Sequence, residues 1–155
     1  MSIELGSTVP NFTAQATSGQ TINLAELAGK QVVLYFYPKD NTPGCTTEGQ
    51  AFRDLYREFE DAGALVFGVS KDSLRTHENF KQKQAFPFEL ISDSDESLCR
   101  LFDVIRLKQM YGKQYEGIER STFVIDAQGV LRHEWRKVKV PGHVDQVLEA
   151  VRALA

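Results

Sequence analysis

Two uninterrupted apolar runs, Gln31-Val-Val-Leu-Tyr-Phe-Tyr37 and Ala64-Leu-Val-Phe-Gly-Val-Ser70, constrain this chain more than any other feature. Both are rich in β-branched and aromatic residues and lack the alternation of a half-exposed strand. Each therefore reads as a strand covered on both faces. Between them Phe52, Leu55, Tyr56 and Phe59 recur at i, i+3, i+4 and i+7, one face of an amphipathic helix. Strand, helix, strand with short connections is a βαβ unit, which requires a parallel pair and a right-handed crossover.

The pattern then repeats. The spacing predicts a helix from Ser73 to Ala85, a short strand over Phe88 to Ile91, and a helix from Asp95, as its N-cap, to Phe102. Thr122 to Ile125 and Val130 to Lys137 read as a hairpin turning at Gly129. A last helix sets Val144, Val147, Leu148, Val151 and Leu154 on one face. Residues 3 to 29 are expected to add an N-terminal hairpin. The whole order gives one α/β domain over residues 1 to 155, a three-layer sandwich with a mixed sheet between helices.

Composition permits such a core. Of 155 residues 42% are hydrophobic and 25% charged, so no metal or disulfide staple is needed. A net charge of −3 argues against a general nucleic-acid partner. The basic stretch Arg132 to Lys139, interleaved with Trp135, Val138 and Val140, reads as the solvated face of a strand. No apolar run approaches the ~18 residues of a membrane span, and Met1 to Gly6 lacks the blocks of a secretory signal. The expectation is a cytoplasmic protein with reduced thiols. Its two cysteines form no Cys-x-x-Cys and no Cys/His cluster, and His77, His133 and His143 are scattered. No metal or other cofactor is expected, and the histidines read as solvated.

The chemistry concentrates in Tyr37-Pro-Lys-Asp-Asn-Thr-Pro-Gly-Cys-Thr-Thr-Glu48. This segment leaves the carboxyl end of a parallel strand, the edge where open α/β sheets bind ligands. Thr42 suits an N-cap and Pro43 the first helical position, which puts Gly44 and Cys45 in the first turn. There, unpaired N–H groups and the positive end of the helix dipole favour an anion. A thiolate is the nucleophilic form of cysteine, and an ordinary thiol is only ~3% ionised at neutral pH. Reaching ~90% thiolate takes about 3.4 kcal/mol, of which the dipole supplies at most about 2 kcal/mol. A reactive Cys45 therefore needs a cation beside it. Read otherwise, Cys45 is a small buried hydrophobe, although a Pro-rich loop is a poor place for one.

The spacing Pro38-x-x-x-Thr42-x-x-Cys45 resembles the active-site signature of the peroxiredoxins, and the longer run resembles their Q-type, or bacterioferritin comigratory, branch. Gly117-Ile-Glu-Arg-Ser-Thr-Phe-Val-Ile-Asp126, preceded by Gly112-Lys113, is similar to that family's Arg-x-Thr-Phe strand. The likeness extends over the whole chain. It implies a thioredoxin-like fold and a thiol peroxidase acting on hydrogen peroxide and organic hydroperoxides. Cys45 is then the nucleophile that becomes a sulfenic acid. Thr42 bonds the incoming peroxide, and Arg120 supplies the cation and steadies the departing oxygen. Pro38 shields the thiolate, Gly44 belongs to the substrate-binding first turn, and Glu48 orients the arginine.

The chain departs from the family pattern at its second cysteine. Two-cysteine members of the branch carry the resolving cysteine five positions after the first, where Gln50 stands here, or on the next helix, and residues 73 to 85 contain no cysteine. Cys99 alone remains as a possible resolving cysteine. Its expected place, two strands from the Cys45 strand, is a lateral offset of ~10 Å, beyond the ~7 Å reach of a disulfide. The favoured reading is a one-cysteine enzyme, monomeric or weakly dimeric, reduced by an external thiol of the thioredoxin or glutaredoxin type. The alternatives are a peroxide-sensing relay and a disulfide reductase, and the latter lacks its vicinal dithiol. Residues 106 to 116 read either as a flap beside the site or as an ordinary surface loop.

Overall fold

The computed structural model describes residues 3–155, so residues 1 and 2 of the expected domain lie outside the described part. Its centre is strand β3 (Gln31–Phe36), with all six residues buried. β3 pairs in parallel with β4 (Ala64–Ser70), which pairs in parallel with β5 (Glu89–Ser92). On its other side β3 runs antiparallel to β8 (Ser121–Ile125), and β8 to β9 (Leu131–Trp135). Two short strands, β1 (Thr13–Ala16) and β2 (Thr21–Asn23), complete the far edge, giving the order β2-β1-β5-β4-β3-β8-β9. The expected N-terminal hairpin is thus present as an edge of the main sheet. It turns at Ser18 and Gly19, both at positive φ (61° and 66°), as a tight two-residue turn requires.

Because side chains alternate across a strand, β3 feeds two separate cores. Val33, Tyr35 and Tyr37 pack with Phe52, Phe59, Phe80 and Val147. These come from α1 (Pro43–Asp54), α2 (Tyr56–Asp61), α3 (Leu74–Gln84) and α5 (His143–Leu154). Val32, Leu34 and Phe36 pack on the opposite face with Leu24, Leu98, Phe102 and Ile118. That side is covered by a 3-10 turn (Leu24–Leu27) and α4 (Ser97–Leu101).

Several expectations need correction. The single helix through Phe52 and Phe59 is interrupted at Leu55, whose ψ of 6° separates α1 from α2. No glycine or proline between 53 and 57 marks the break. Asp95 is not the N-cap of α4, although its Oδ1 accepts from Ser97 N at 3.0 Å. Glu96 occupies the N-cap at φ 64°, and the Asp93 carboxylate accepts from the N–H groups of Leu98 (2.9 Å) and Cys99 (2.7 Å). Residues 106 to 116, expected as a flap beside the site or as a surface loop, form most of a hairpin of β6 (Ile105–Met110) and β7 (Lys113–Ile118), outside the main sheet. His77 and His143 are buried, not solvated, because each finds a polar partner inside: Asp40 for His77 and Thr122 for His143. Within the basic stretch Lys137 and Lys139 are exposed, but Arg136 is not a free surface group. It donates to the carbonyls of Phe102 and Asp103 and lies 5.2 Å from the centre of the Phe123 ring.

Candidate active site

The carboxyl ends of β3, β4 and β5 open at one edge, and α1 starts there. Thr42 is the N-cap, Pro43, Gly44 and Cys45 form the first turn, and Cys45 is 2% exposed. Thr42 holds the cap position through its backbone alone. Its hydroxyl donates instead to the carbonyl of Lys39 at 2.8 Å, so the expected side-chain cap is absent. Pro38, half-buried, follows Tyr37 directly at the strand end.

Arg120 arrives from the junction of β7 and β8. Its Nη2 lies 3.3 Å from Cys45 Sγ, and its Nη1 donates to Glu48 Oε1 at 2.6 Å. Glu48 sits one turn after Cys45 on α1 and is 0% exposed. Gly44 makes room for this approach, since a Cβ there would stand 3.1 Å from Arg120 Nη2. Burial opposes the charge of Arg120, but Glu48 and Cys45 outweigh it and the guanidinium pKa is raised. Burial likewise pushes the Glu48 carboxyl up to about 7, against the pull of Arg120. Its second oxygen, Oε2, is buried without a hydrogen-bond partner. The site thus joins Cys45, Arg120, Glu48 and Gly44, with Thr42 and Pro38 on the adjoining loop.

Cys99 lies elsewhere. It is fully buried in the core on the opposite face of the sheet from Cys45, and burial followed by the neighbouring Asp93 carboxylate pushes its thiol pKa far up.

Two neighbours escaped the sequence reading. Lys108, on β6, anchors its ammonium on the carbonyl of Ile118 at 2.7 Å, and burial, then Arg120, lowers its pKa. His143 bonds Thr122 Oγ1 through Nε2 at 2.8 Å; burial, then Arg120, pushes its pKa down to about 4 and keeps the ring neutral. No spacing rule links either residue to Cys45, because both are brought in by strand pairing and helix docking.

A cysteine in the first turn of a helix, with a guanidinium against its sulfur, at the strand edge of a thioredoxin-like sheet defines the class of thioredoxin-fold thiol peroxidases. A family model described as the AhpC/TSA family matches residues 5–134, and the chain belongs to that family, among the peroxiredoxins. It is 52% identical to Peroxiredoxin Bcp of Xanthomonas campestris over 153 residues, 99% of this chain and 96% of that protein. It is 47% identical to Peroxiredoxin Bcp of Bacillus subtilis over 155 residues, 100% of this chain and 99% of that protein. Among solved structures, Xanthomonas campestris Peroxiredoxin Q superposes with a TM-score of 0.90 at 53% identity, covering 97% of this chain and 96% of that one. Xylella fastidiosa PrxQ superposes at 0.93 with 44% identity, covering 99% and 98%. The protein is a thiol-dependent peroxidase of the thioredoxin fold. No helix among the described residues is long and apolar enough to cross a membrane.

Proposed function

We propose that Cys45 is the nucleophile of this peroxidase and that it works without a resolving cysteine of its own. The thiolate attacks the terminal oxygen of a hydroperoxide. An S–O bond forms, the O–O bond breaks, and the departing oxygen leaves as water or an alcohol after taking a proton. Charge builds on that oxygen as the bond breaks. Donors fixed in place, the Arg120 guanidinium and the first-turn N–H groups, stabilise it without reorganising. Thr42 bonds the incoming peroxide, Pro38 and Gly44 shape the approach, and Glu48 holds Arg120 in line. The single observation that carries this reading is the 3.3 Å contact between Arg120 Nη2 and Cys45 Sγ.

An external dithiol of the thioredoxin or glutaredoxin type then attacks the sulfenic acid, expels water, and closes its own disulfide to release Cys45 as the thiol. Hydrogen peroxide and organic hydroperoxides are both proposed substrates; a structure of the Xanthomonas relative is described in terms of alkyl peroxide reduction. The proposed setting is the cytoplasm, with the chain monomeric or weakly dimeric. Replacing Cys45→Ser is expected to abolish peroxide consumption, and a variant that kept its activity would remove the assignment.

A further inference from the structure

Between β3 and Cys45 lies a buried polar network that the chemistry above leaves unused. Asp40 is 3% exposed and His77 0%. Asp40 Oδ1 accepts from the Tyr37 hydroxyl at 2.6 Å, and Oδ2 lies 2.6 Å from His77 Nδ1. His77 Nε2 lies 2.9 Å from the carbonyl of Ile91. The chain of bonds thus runs from the end of β3 through α3 to β5. Asp72 joins it: its Oδ2 accepts from Asp40 N at 3.0 Å and from the Ser70 hydroxyl. Ligand atoms of Asp40, Asp72 and His77 lie within 4.8 Å of one another. Protein donors and acceptors already engage them, so the group reads as a hydrogen-bonded clamp, not a cation site.

The clamp bears on Cys45 through one peptide unit. The N–H of Asp40 and the C=O of Lys39 belong to the same plane. Asp72 holds the N–H, and Thr42 Oγ1 donates its proton to the C=O at 2.8 Å. A hydroxyl has one proton and two lone pairs. With the proton committed to Lys39, Thr42 presents only lone pairs and can receive the O–H of an incoming hydroperoxide. Asn41, at φ 65°, forms the tight bend that returns Thr42 to this carbonyl. We propose that Asp72 and the Tyr37–Asp40–His77 chain are positioning residues, which lock the Lys39–Asp40 peptide plane and so set the Thr42 hydroxyl as an acceptor for the peroxide. The inference rests on Cys45 being the nucleophile.

A double-mutant cycle in the full chain tests it, reading the second-order rate with hydrogen peroxide beside the rate of Cys45 alkylation by iodoacetamide. Iodoacetamide needs the thiolate but not the Thr42 lone pair. Asp72→Ala is expected to slow the peroxide reaction about 10-fold and to leave alkylation within about 2-fold. Asp72→Asn, which keeps an acceptor oxygen, restores most of the rate. Combined with Thr42→Val, Asp72→Ala adds no further loss, as two residues acting through one group require. A full additional loss in the double variant, an equal fall in both rates, or an unchanged peroxide rate would each overturn the proposal. Should Asp72→Ala not fold, Asp72→Ser carries the same cycle with the same expected loss, because its shorter hydroxyl does not reach Asp40 N. A Cys45→Ser chain that still consumed peroxide would remove the parent reading instead, a result separate from every outcome of the Asp72 cycle.

Discussion

Cys45 and Cys99 belong to opposite faces of one sheet, Cys45 in the core of Tyr35 and Tyr37 and Cys99 in the core of Leu34 and Phe36. Layers packed on a sheet stand about 10 Å from it, whereas a disulfide needs Cα atoms within about 7 Å. The separation expected from sequence was a lateral one along the sheet; the sheet itself is the barrier. Oxidation with one equivalent of peroxide is therefore expected to add one oxygen to the chain, with no Cys45–Cys99 bridge, by non-reducing mass spectrometry. In the native reduced chain one thiol should alkylate, and Cys99 should react only after denaturation. A stoichiometric internal bridge would contradict this.

Gly44 is expected to tolerate no side chain if Arg120 is to reach the sulfur. Gly44→Ala places a methyl 3.1 Å from Nη2, tighter than ordinary van der Waals contact. The flexible guanidinium gives way before the helix does. The expected result is a fall of about 10-fold in peroxide rate with little change in the unfolding midpoint. Equal rates for the two chains would mean that the close approach of Arg120 is immaterial.

Glu48 and His143 should tilt the dependence of stability on pH in opposite directions. Burial pushes the Glu48 carboxyl up to about 7 in the folded chain, from an ordinary 4.5. Between those values the folded state holds a proton that the unfolded state has lost, so this group makes stability fall as pH rises from about 4.5 to 7. His143 titrates at about 4 when folded against 6.5. There the unfolded state binds the extra proton, so stability is lost as pH falls from 6.5 towards 4. Urea unfolding from pH 4 to 8 should show Glu48→Gln removing the first slope and His143→Gln the second. Parallel curves for all three chains would refute both assignments.

Gly68 on β4 lies under Tyr35. A Cβ at Gly68 would stand 2.8 Å from both Leu90 Cδ2 and the Tyr35 hydroxyl oxygen, which itself is buried without a hydrogen-bond partner. Gly68→Ala is expected to cost about 1–3 kcal/mol through overpacking. Tyr35→Phe should leave stability equal or higher, because it removes an unsatisfied buried hydroxyl. Chemical denaturation of the two variants decides both points.

The frame of the molecule was legible because it rests on local pattern. The runs at 31–37 and 64–70 became β3 and β4, and Thr42-Pro43-Gly44-Cys45 became the first turn of α1. What escaped depends on partners distant in sequence. His77 is buried because Asp40 meets it, and His143 because Thr122 does, pairings that no periodicity reveals. Lys108 reaches the neighbourhood of Arg120 only once β6 and β7 pair. Family resemblance points to Arg120 itself; spacing alone calls for a cation without saying which.

The reactivity of Cys45 depends on the guanidinium that meets its sulfur, and the sharpest test is the second-order rate of Cys45 with hydrogen peroxide at pH 7, in a Cys99→Ser background, with and without Arg120→Met. Removing a fixed donor to developing charge costs about 10²–10³-fold in comparable sites. The expected result is a loss of at least about 100-fold, with folding intact by circular dichroism. A folded Arg120→Met chain that reacted with peroxide as fast as its parent would show that the guanidinium does not activate the sulfur.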